Sequence, residues 1–293
     1  QCKLPIQERQ GKLVCGLFSP NSNQFQMVHH FLTHDPEVER IRKELLAILN
    51  QHHFPAYSHK TKQGLRYIVI RCIHGISQAT LITGKDTLNK CLIDDFKKIP
   101  HLHSLHQSWN TSKQSLQFFG KRTKLLFGKK HLLIPFSSIY LHVSPEAFFQ
   151  LNTKQAEALY HYAVSKVDPC HTLVEAYCGI GVMSLLASSK AEQVYGIELN
   201  PHAIQDAKRN AELNHLDNCH FECADAADGL YKIAKKQKID TLLIDPPRSG
   251  LDEAMLEAIL KSQPDRIIYI SCNPATLAKN IAVLKWKYQI LTI

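Results

Sequence analysis

After residue 144 the chain alternates short apolar segments with longer amphipathic ones, and this alternation constrains the fold more than any other feature. Strands that are separated by helices pair in parallel, because a parallel neighbour is reached only through a long crossover connection. We therefore predict a doubly wound α/β domain with a parallel sheet over 144–293. The predicted strands are 172–176, 193–197, 220–223, 241–244 and 266–270, and the predicted helices are one ending near 167, then 182–189, 201–214 and 252–261.

The first 143 residues differ from the rest in charge. They carry 20 lysines and arginines against 8 aspartates and glutamates, whereas residues 144–293 carry 15 against 18. This asymmetry favours a polyanion-binding domain joined to a domain of another function, with a solvated basic surface as the alternative. We predict a smaller, basic α+β domain over 1–143, with a helix over 38–51 capped by Asp35, strands over 64–72 and 77–83, and a helix over 88–98.

The densest basic run of the chain is 120–130, where lysines and an arginine are interspersed with apolar residues. Such a pattern predicts a β-hairpin with one basic face. A basic face of this kind suits phosphate contacts, which set affinity without reading a base sequence.

Several classes of protein are disfavoured by composition. The nine cysteines are scattered and contain no C-x-x-C pair, so we predict no disulfide framework, no metal site and a reducing, cytoplasmic setting. No run of about 18 apolar residues occurs, so no membrane span is predicted. The first residues lack the apolar core of a secretory signal. The sequence makes no prediction about oligomeric state.

A glycine turn and two acids follow the first predicted strands of the α/β domain. Gly179 and Gly181 allow close approach of a ligand to the backbone, although an ordinary tight turn is the alternative. Glu198 ends the next strand, 19 residues after Gly179, where a carboxylate can accept both hydroxyls of an adenosine ribose. Asp225 follows the third strand and is a candidate for an adenine amino group, with a turn aspartate as the alternative.

Two further motifs follow the last predicted strands. Asp245 is followed by two prolines, which stiffen the loop and fix a carboxylate at the ligand edge of the sheet. Cys272 lies where a strand ends and a helix begins, and a helix N-terminus favours the thiolate. Cys272 is therefore a candidate nucleophile, while the alternative is a small apolar residue packed under the sheet.

Four segments together resemble the bacterial RNA uracil-C5 methyltransferases, which make 5-methyluridine. They are E-A-Y-C-G-I-G at 175–181, Y-G-I-E-L-N-P at 195–201, L-L-I-D-P-P-R-S-G at 242–250 and Y-I-S-C-N-P-A-T-L-A-K-N at 269–280. F-F-Q-L-N at 148–152 matches as well, and 16–18 and 64–66 fit the family's central domain more loosely. The resemblance implies a Rossmann-like class I methyltransferase domain over 144–293, preceded by an RNA-binding domain over 1–143.

By this resemblance Cys272 is the nucleophile that adds to C6 of uracil. The residues expected to contact S-adenosylmethionine are Gln150, Tyr177, Gly179, Glu198, Asp225 and Asp245. The expected substrate is RNA, with ribosomal RNA favoured over transfer RNA. Two alternatives stay open: an exocyclic-amine nucleic-acid methyltransferase in which Cys272 is structural, and a noncatalytic RNA-binding assembly factor.

The sequence departs from the family pattern in three places. The family's proton-removing glutamate is expected beyond Ile293, so the role is assigned to no residue here. The usual N-terminal β-barrel and the four-cysteine iron–sulfur motif of many members are not predicted either. Val182 stands where relatives often carry a polar residue. The chain is therefore expected to cover the central and catalytic regions, with an incomplete C-terminus.

Overall fold

The computed structural model describes residues 2–19, 22, 24–112, 118–150 and 152–292. The chain divides into two compact units, Gln1–Ile134 and Pro135–Ile293. Within the described ranges, no helix combines the length and the apolar composition needed to cross a membrane.

The first unit is built on a seven-stranded sheet with two helices. In the order β3-β2-β1-β4-β5-β6-β7, all neighbours are antiparallel except β5 and β6. The elements are β1 (Cys2–Arg9), β2 (Lys12–Phe18), β3 (Phe25–Met27), α1 (Pro36–Gln51), β4 (Leu65–Ile73), β5 (Ile76–Thr83), α2 (Lys90–Phe96), β6 (Leu102–Trp109) and β7 (Thr123–Gly128). Next, β8 (Leu132–Phe136) pairs with β9 (Ile139–Val143).

The predicted hairpin over 120–130 is wrong. This run forms the single strand β7, whose residues 123–128 pair with β6 from Thr123 opposite Ser108 to Gly128 opposite Ser104. The strand partner of β7 is therefore β6, and residues 120–130 contain no second strand that returns to pair with it. The cap of α1 agrees with the sequence pattern, since Asp35 Oδ1 accepts from the backbone N–H of Glu37 at 2.8 Å.

The second unit is a five-stranded, wholly parallel sheet in the order β12-β11-β10-β13-β14. This confirms the predicted doubly wound α/β fold. Its strands are β10 (Cys170–Ala176), β11 (Ala191–Glu198), β12 (Cys219–Cys223), β13 (Thr241–Ile244) and β14 (Arg266–Tyr269). Its helices are α3 (Thr153–Ser165), α4 (Val182–Ala187), α5 (Pro201–Leu213), α6 (Ala226–Ala234), α7 (Glu253–Ser262) and α8 (Pro274–Leu284).

Strand order reverses between β10 and β13, and such a point opens a crevice at the carboxyl ends of the strands. Helices α6, α7 and α8 pack on the apolar sheet face that carries Val174, Ala176, Leu242 and Ile244.

Helix α6 is absent from the sequence prediction, which passes directly from one strand to the next. Gly229 lies in the middle of this short helix and lowers its intrinsic helix propensity. A Cβ at Gly229 would lie 2.7 Å from the side chain of Ile197. The glycine therefore serves close packing of α6 on β11, a tertiary requirement that local sequence patterns do not reveal.

Helix α1 buries an ion pair beside its apolar face. Glu39 and Arg42 are each 4% exposed. Arg42 Nη2 donates to Glu39 Oε2 at 2.8 Å, and Arg42 Nη1 donates to the sulfur of Cys15 at 3.0 Å. Burial opposes ionisation of Glu39, but hydrogen bonds from Arg42 and His34 outweigh it and lower its pKa from 4.5 to about 2. Ionised Glu39 thus contributes stability that is fully present above about pH 4.5 and is lost as pH falls through 2.

We predict that Arg42→Met destabilises the first unit by about 3–5 kcal/mol, because the buried Glu39 carboxylate loses its cation. Arg40→Met, at a half-buried position of the same helix where the cation pairs with Glu37 and Glu44, is the control and should cost less, about 1 kcal/mol. Urea denaturation followed by Trp109 fluorescence in a Trp286→Phe background measures both. Equal losses in the two variants would contradict the buried pair's role.

Candidate functional site

The candidate site residues of the second unit lie at one edge of its sheet. Tyr177 follows β10, Glu198 ends β11, Asp225 follows β12, Asp245 follows β13 and Cys272 lies just after β14. Because the five strands are parallel, all of these residues lie at their carboxyl ends. The structure therefore gathers at one edge the residues that the sequence separates by nearly 100 positions.

The turn after β10 holds Glu198 in place through backbone amides. The N–H of Gly179 donates to Glu198 Oε2 at 3.1 Å, and the N–H of Asn200 donates to Oε1 at 2.8 Å. Gly179 has φ +55°, and a Cβ placed there would meet nothing within 4 Å. At Gly181, by contrast, a Cβ would lie 2.7 Å from the ring of Phe221. Gly179 thus leaves the backbone accessible beside the fixed Glu198 carboxylate. The absence of a side chain at Gly181 instead makes room for the ring of Phe221.

Glu175 is a functional candidate that sequence reasoning did not single out, although it begins the first matched segment. It is 2% exposed, and its Oε2 accepts from the backbone N–H of Ser184 at 2.7 Å and from the Ser184 hydroxyl. Burial raises the pKa of Glu175 from 4.5 to about 8, and the two Ser184 bonds oppose this only in part. A carboxylic acid within the short apolar run 173–176 was the available signal.

Asp225 and Tyr177 lie near one another beside the turn. The exposed Asp225 caps α6, since its Oδ1 accepts from the backbone N–H of Ala227 at 2.9 Å. Burial raises the pKa of the Tyr177 phenol, and the carboxylates of Asp252 and Asp225 raise it further. Asp225 therefore has a structural role, helix capping, whatever it binds in addition.

Asp245, Gln150 and Tyr160 form a second group at this edge. Burial raises the pKa of Asp245 from 3.8 to about 6. The pKa of the Tyr160 phenol is raised by burial and then by Asp245, while a hydrogen bond with Gln150 opposes the shift. Tyr160 was missed because it lies on α3, outside every recognised segment. Leu151, within the matched segment 148–152, lies outside the described residues.

Hydrogen bonds fasten the loop after Asp245 to helix α8. The side chain of Asn280 accepts from the N–H of Leu251 at 2.9 Å and donates to the carbonyl of Leu251 at 3.0 Å. It also accepts from the Tyr269 hydroxyl at 2.8 Å. Nearer the loop tip, Asn273 Nδ2 donates to the carbonyl of Arg248 at 3.1 Å. The loop after β13 and the turn between β14 and α8 are therefore held together by hydrogen bonds.

Cys272 is exposed in this structure, whereas Cys2, Cys15, Cys178 and Cys219 are buried. It directly precedes Asn273, whose Oδ1 caps α8 by accepting from the N–H of Ala275 at 3.1 Å. The interpretation of Cys272 as a packed apolar residue under the sheet is therefore wrong. Its thiol is accessible and lies beside a helix N-terminus.

The family model described as tRNA (Uracil-5-)-methyltransferase matches residues 3–293. The chain belongs to this family. The resemblance predicted from the four segments is thereby confirmed.

Curated relatives include uncharacterised RNA methyltransferases of Halalkalibacterium halodurans, 34% identical over 97% of this chain, and of Listeria innocua, 35% identical over 96%. The chain spans 64% and 63% of the length of these relatives. Among solved structures, the Pyrococcus abyssi tRNA (uracil-54, C5)-methyltransferase in complex with S-adenosyl-L-homocysteine matches with a TM-score of 0.77 at 22% identity. That match covers 99% of this chain and 69% of the other, and shows the fold.

The raised pKa of Glu175 predicts a loss of stability as pH rises. The unfolded chain releases this proton above about pH 4.5, whereas the folded protein retains it up to about pH 8. Stability therefore declines across that window and levels off above it. Because glutamine does not ionise, Glu175→Gln should gain stability relative to the wild type as pH rises from 4.5 to 8.

Differential scanning calorimetry across this window measures the difference between the two proteins. The exposed Glu222→Gln, on β12, is the matched control and should follow the wild-type profile. Parallel profiles for the wild type and Glu175→Gln would show that Glu175 is ionised in the folded protein.

Proposed function

We propose that the protein transfers a methyl group from S-adenosylmethionine to C5 of uridine in RNA, with Cys272 as the nucleophile. The observation that carries the proposal is the exposed Cys272 beside a capped helix, fastened through Asn273 to the loop that follows Asp245. Membership of the uracil-5-methyltransferase family supports it. An exocyclic-amine methyltransferase needs no accessible thiol at this position.

The edge of the sheet fits the proposed cofactor. Gly179 presents open backbone, and Glu198 presents a carboxylate already oriented by two backbone amides. We assign the ribose hydroxyls to Glu198 and the adenine amino group to Asp225. Tyr177, Gln150 and Asp245 are proposed as the remaining contacts. When bound, S-adenosylmethionine supplies an electrophilic methyl group on a sulfonium sulfur.

A thiol is required because C5 of uracil is a poor nucleophile. Addition of the Cys272 thiolate forms an S–C6 bond and moves the ring π electrons into an enolate, so that C5 gains carbanion character. C5 would then take the methyl group as the bond between the methyl carbon and the sulfonium sulfur breaks, and S-adenosylhomocysteine would leave. Loss of the C5 proton to a base and cleavage of the S–C6 bond restore the ring and release Cys272. The proposal assigns no residue as this base.

We propose that the basic region 1–143 holds the RNA through its phosphates. Lys121, Arg122 and Lys124 are exposed at and before β7, and the Arg122 guanidinium lies 5.2 Å from the ring centre of Trp109. Lysines on an exposed strand contact a phosphate backbone without selecting a base. The preference for ribosomal over transfer RNA rests on the sequence resemblance, and methylation assays with both RNAs decide it.

We predict that Glu198→Ala weakens S-adenosylmethionine binding by about 1.5–3 kcal/mol, because two ribose hydroxyls lose a charged acceptor. Isothermal titration calorimetry measures the change. Glu222→Ala removes an exposed carboxylate from the neighbouring strand and should leave the affinity unchanged. Wild-type affinity in a folded Glu198→Ala protein would overturn the assignment of Glu198.

The nucleophile is tested with RNA that contains 5-fluorouridine at the target position. Fluorine replaces the C5 proton, so the last step is blocked and a covalent protein–RNA adduct should persist after methyl transfer. A denaturing gel with labelled RNA detects the adduct. Cys272→Ala should abolish both the adduct and methylation of uridine while S-adenosylmethionine binding persists.

The exposed Cys223, on β12, supplies the matched control, since Cys223→Ala should still form the adduct. Methylation of uridine by a folded Cys272→Ala protein would contradict the assignment of Cys272. Methylation of an exocyclic amine instead would favour the amine-methyltransferase alternative.

A further inference from the structure

One group of side chains in the first unit has the composition of a metal site. His52 ends α1, while Cys91 and Asp95 lie four residues apart on α2 and so face the same side of that helix. One ligand atom from each, an imidazole nitrogen, a thiol sulfur and a carboxylate oxygen, lies within 4.8 Å of the other two. Among the described residues, no other group of three His, Cys, Asp or Glu side chains brings its ligand atoms this close together.

The distances suit a small divalent ion. Zinc bonds to sulfur at about 2.3 Å and to nitrogen or oxygen at about 2.0–2.2 Å, so tetrahedral ligand atoms lie roughly 3.3–3.7 Å apart. His52 Nε2 and Asp95 Oδ2 are 2.7 Å apart, and Cys91 lies within reach of both. Small side-chain rotations therefore bring all three ligand atoms to bonding distance of one ion.

Two of the three ligand atoms, His52 Nε2 and Asp95 Oδ2, are hydrogen-bonded to each other, and a bound ion would replace that bond. Lys98 Nζ binds Asp95 at Oδ1, at 2.7 Å, and leaves Oδ2 directed at His52. Cys91 is exposed, so an ion reaches the thiol without rearrangement of the core. The His52 and Asp95 side chains are only 19% and 25% exposed, which limits their freedom before binding.

We propose that His52, Cys91 and Asp95 bind one Zn²⁺ ion, with water as the fourth ligand. Thiolate and imidazole donors favour zinc over the hard cations Mg²⁺ and Ca²⁺. The ion joins the end of α1 to α2 across 43 residues of sequence and stabilises this part of the first unit. The site shares no residue with those proposed for methyl transfer, and it departs from the sequence prediction of no metal site.

Titration of the whole protein with Zn²⁺ alone in a calorimeter should show one binding site. Changes in residues that only orient metal ligands cost about 10–100-fold in affinity, so loss of a ligand in Cys91→Ser or His52→Ala should cost at least as much. Cys223→Ser, which alters another exposed thiol, should bind like the wild type. Zn²⁺ should also raise the melting temperature of the wild type but not that of Cys91→Ser.

Co²⁺ provides a second readout, because a Co²⁺–thiolate bond absorbs in the near ultraviolet. The band should appear with the wild type and Cys223→Ser and be absent with Cys91→Ser. Failure of the wild type to bind Zn²⁺ would overturn the proposal. So would Zn²⁺ affinity and a Co²⁺ band that survive unchanged in Cys91→Ser, since the metal would then lie elsewhere.

Discussion

The carboxamide of Asn280 is the contact on which the candidate catalytic edge depends. It is 6% exposed and binds both backbone groups of Leu251 and the hydroxyl of Tyr269. A buried peptide group left without partners costs about 1–3 kcal/mol for each polar atom, so an apolar side chain of similar size does not replace Asn280. Gly250 leaves room for the Asn280 carboxamide, because a Cβ at position 250 would lie 2.6 Å from Asn280 Oδ1. One amide thus sets the position of the loop after Asp245 relative to the helix that follows Cys272.

Glu175, Asp245 and Glu198 place three carboxyl groups at this edge of the sheet, and each group has a different environment. Glu175 is deeply buried with neutral donors from Ser184, and its pKa of about 8 keeps it protonated at neutral pH. Asp245, less buried, has a pKa raised to about 6 and is mostly ionised at neutral pH. Glu198 receives two backbone amides instead. One edge of the sheet therefore carries a buried carboxylic acid that is held neutral and a carboxylate that is mostly ionised.

The sequence predicted those features that local pattern determines. Strands β10, β11, β12, β13 and β14 are apolar runs between turn residues, and their parallel order follows from the helices between them. Helix α6 and the raised pKa values of Glu175 and Tyr160 were missed because tertiary contacts produce them. Gly229 is required by Ile197 on a neighbouring strand, and the pKa of Tyr160 depends on Asp245, 85 positions away. The hairpin over 120–130 was wrong because its hydrogen-bonding partner is β6 rather than its own continuation.

The two units use buried carboxyl groups in opposite ways, and this affects the whole chain. In the first unit Glu39 is held ionised by Arg42, so protonation in acid removes a stabilising interaction. In the second unit Glu175 is held protonated by burial, so the cost of keeping that proton grows as the pH rises from about 4.5 to about 8. A fall in pH below about 4.5 therefore weakens the first unit at Glu39, and a rise above about 4.5 weakens the second at Glu175. The two pH windows meet near pH 4.5, where the Glu39 contribution is complete and the loss of stability at Glu175 begins, each in a different unit and for an opposite electrostatic reason.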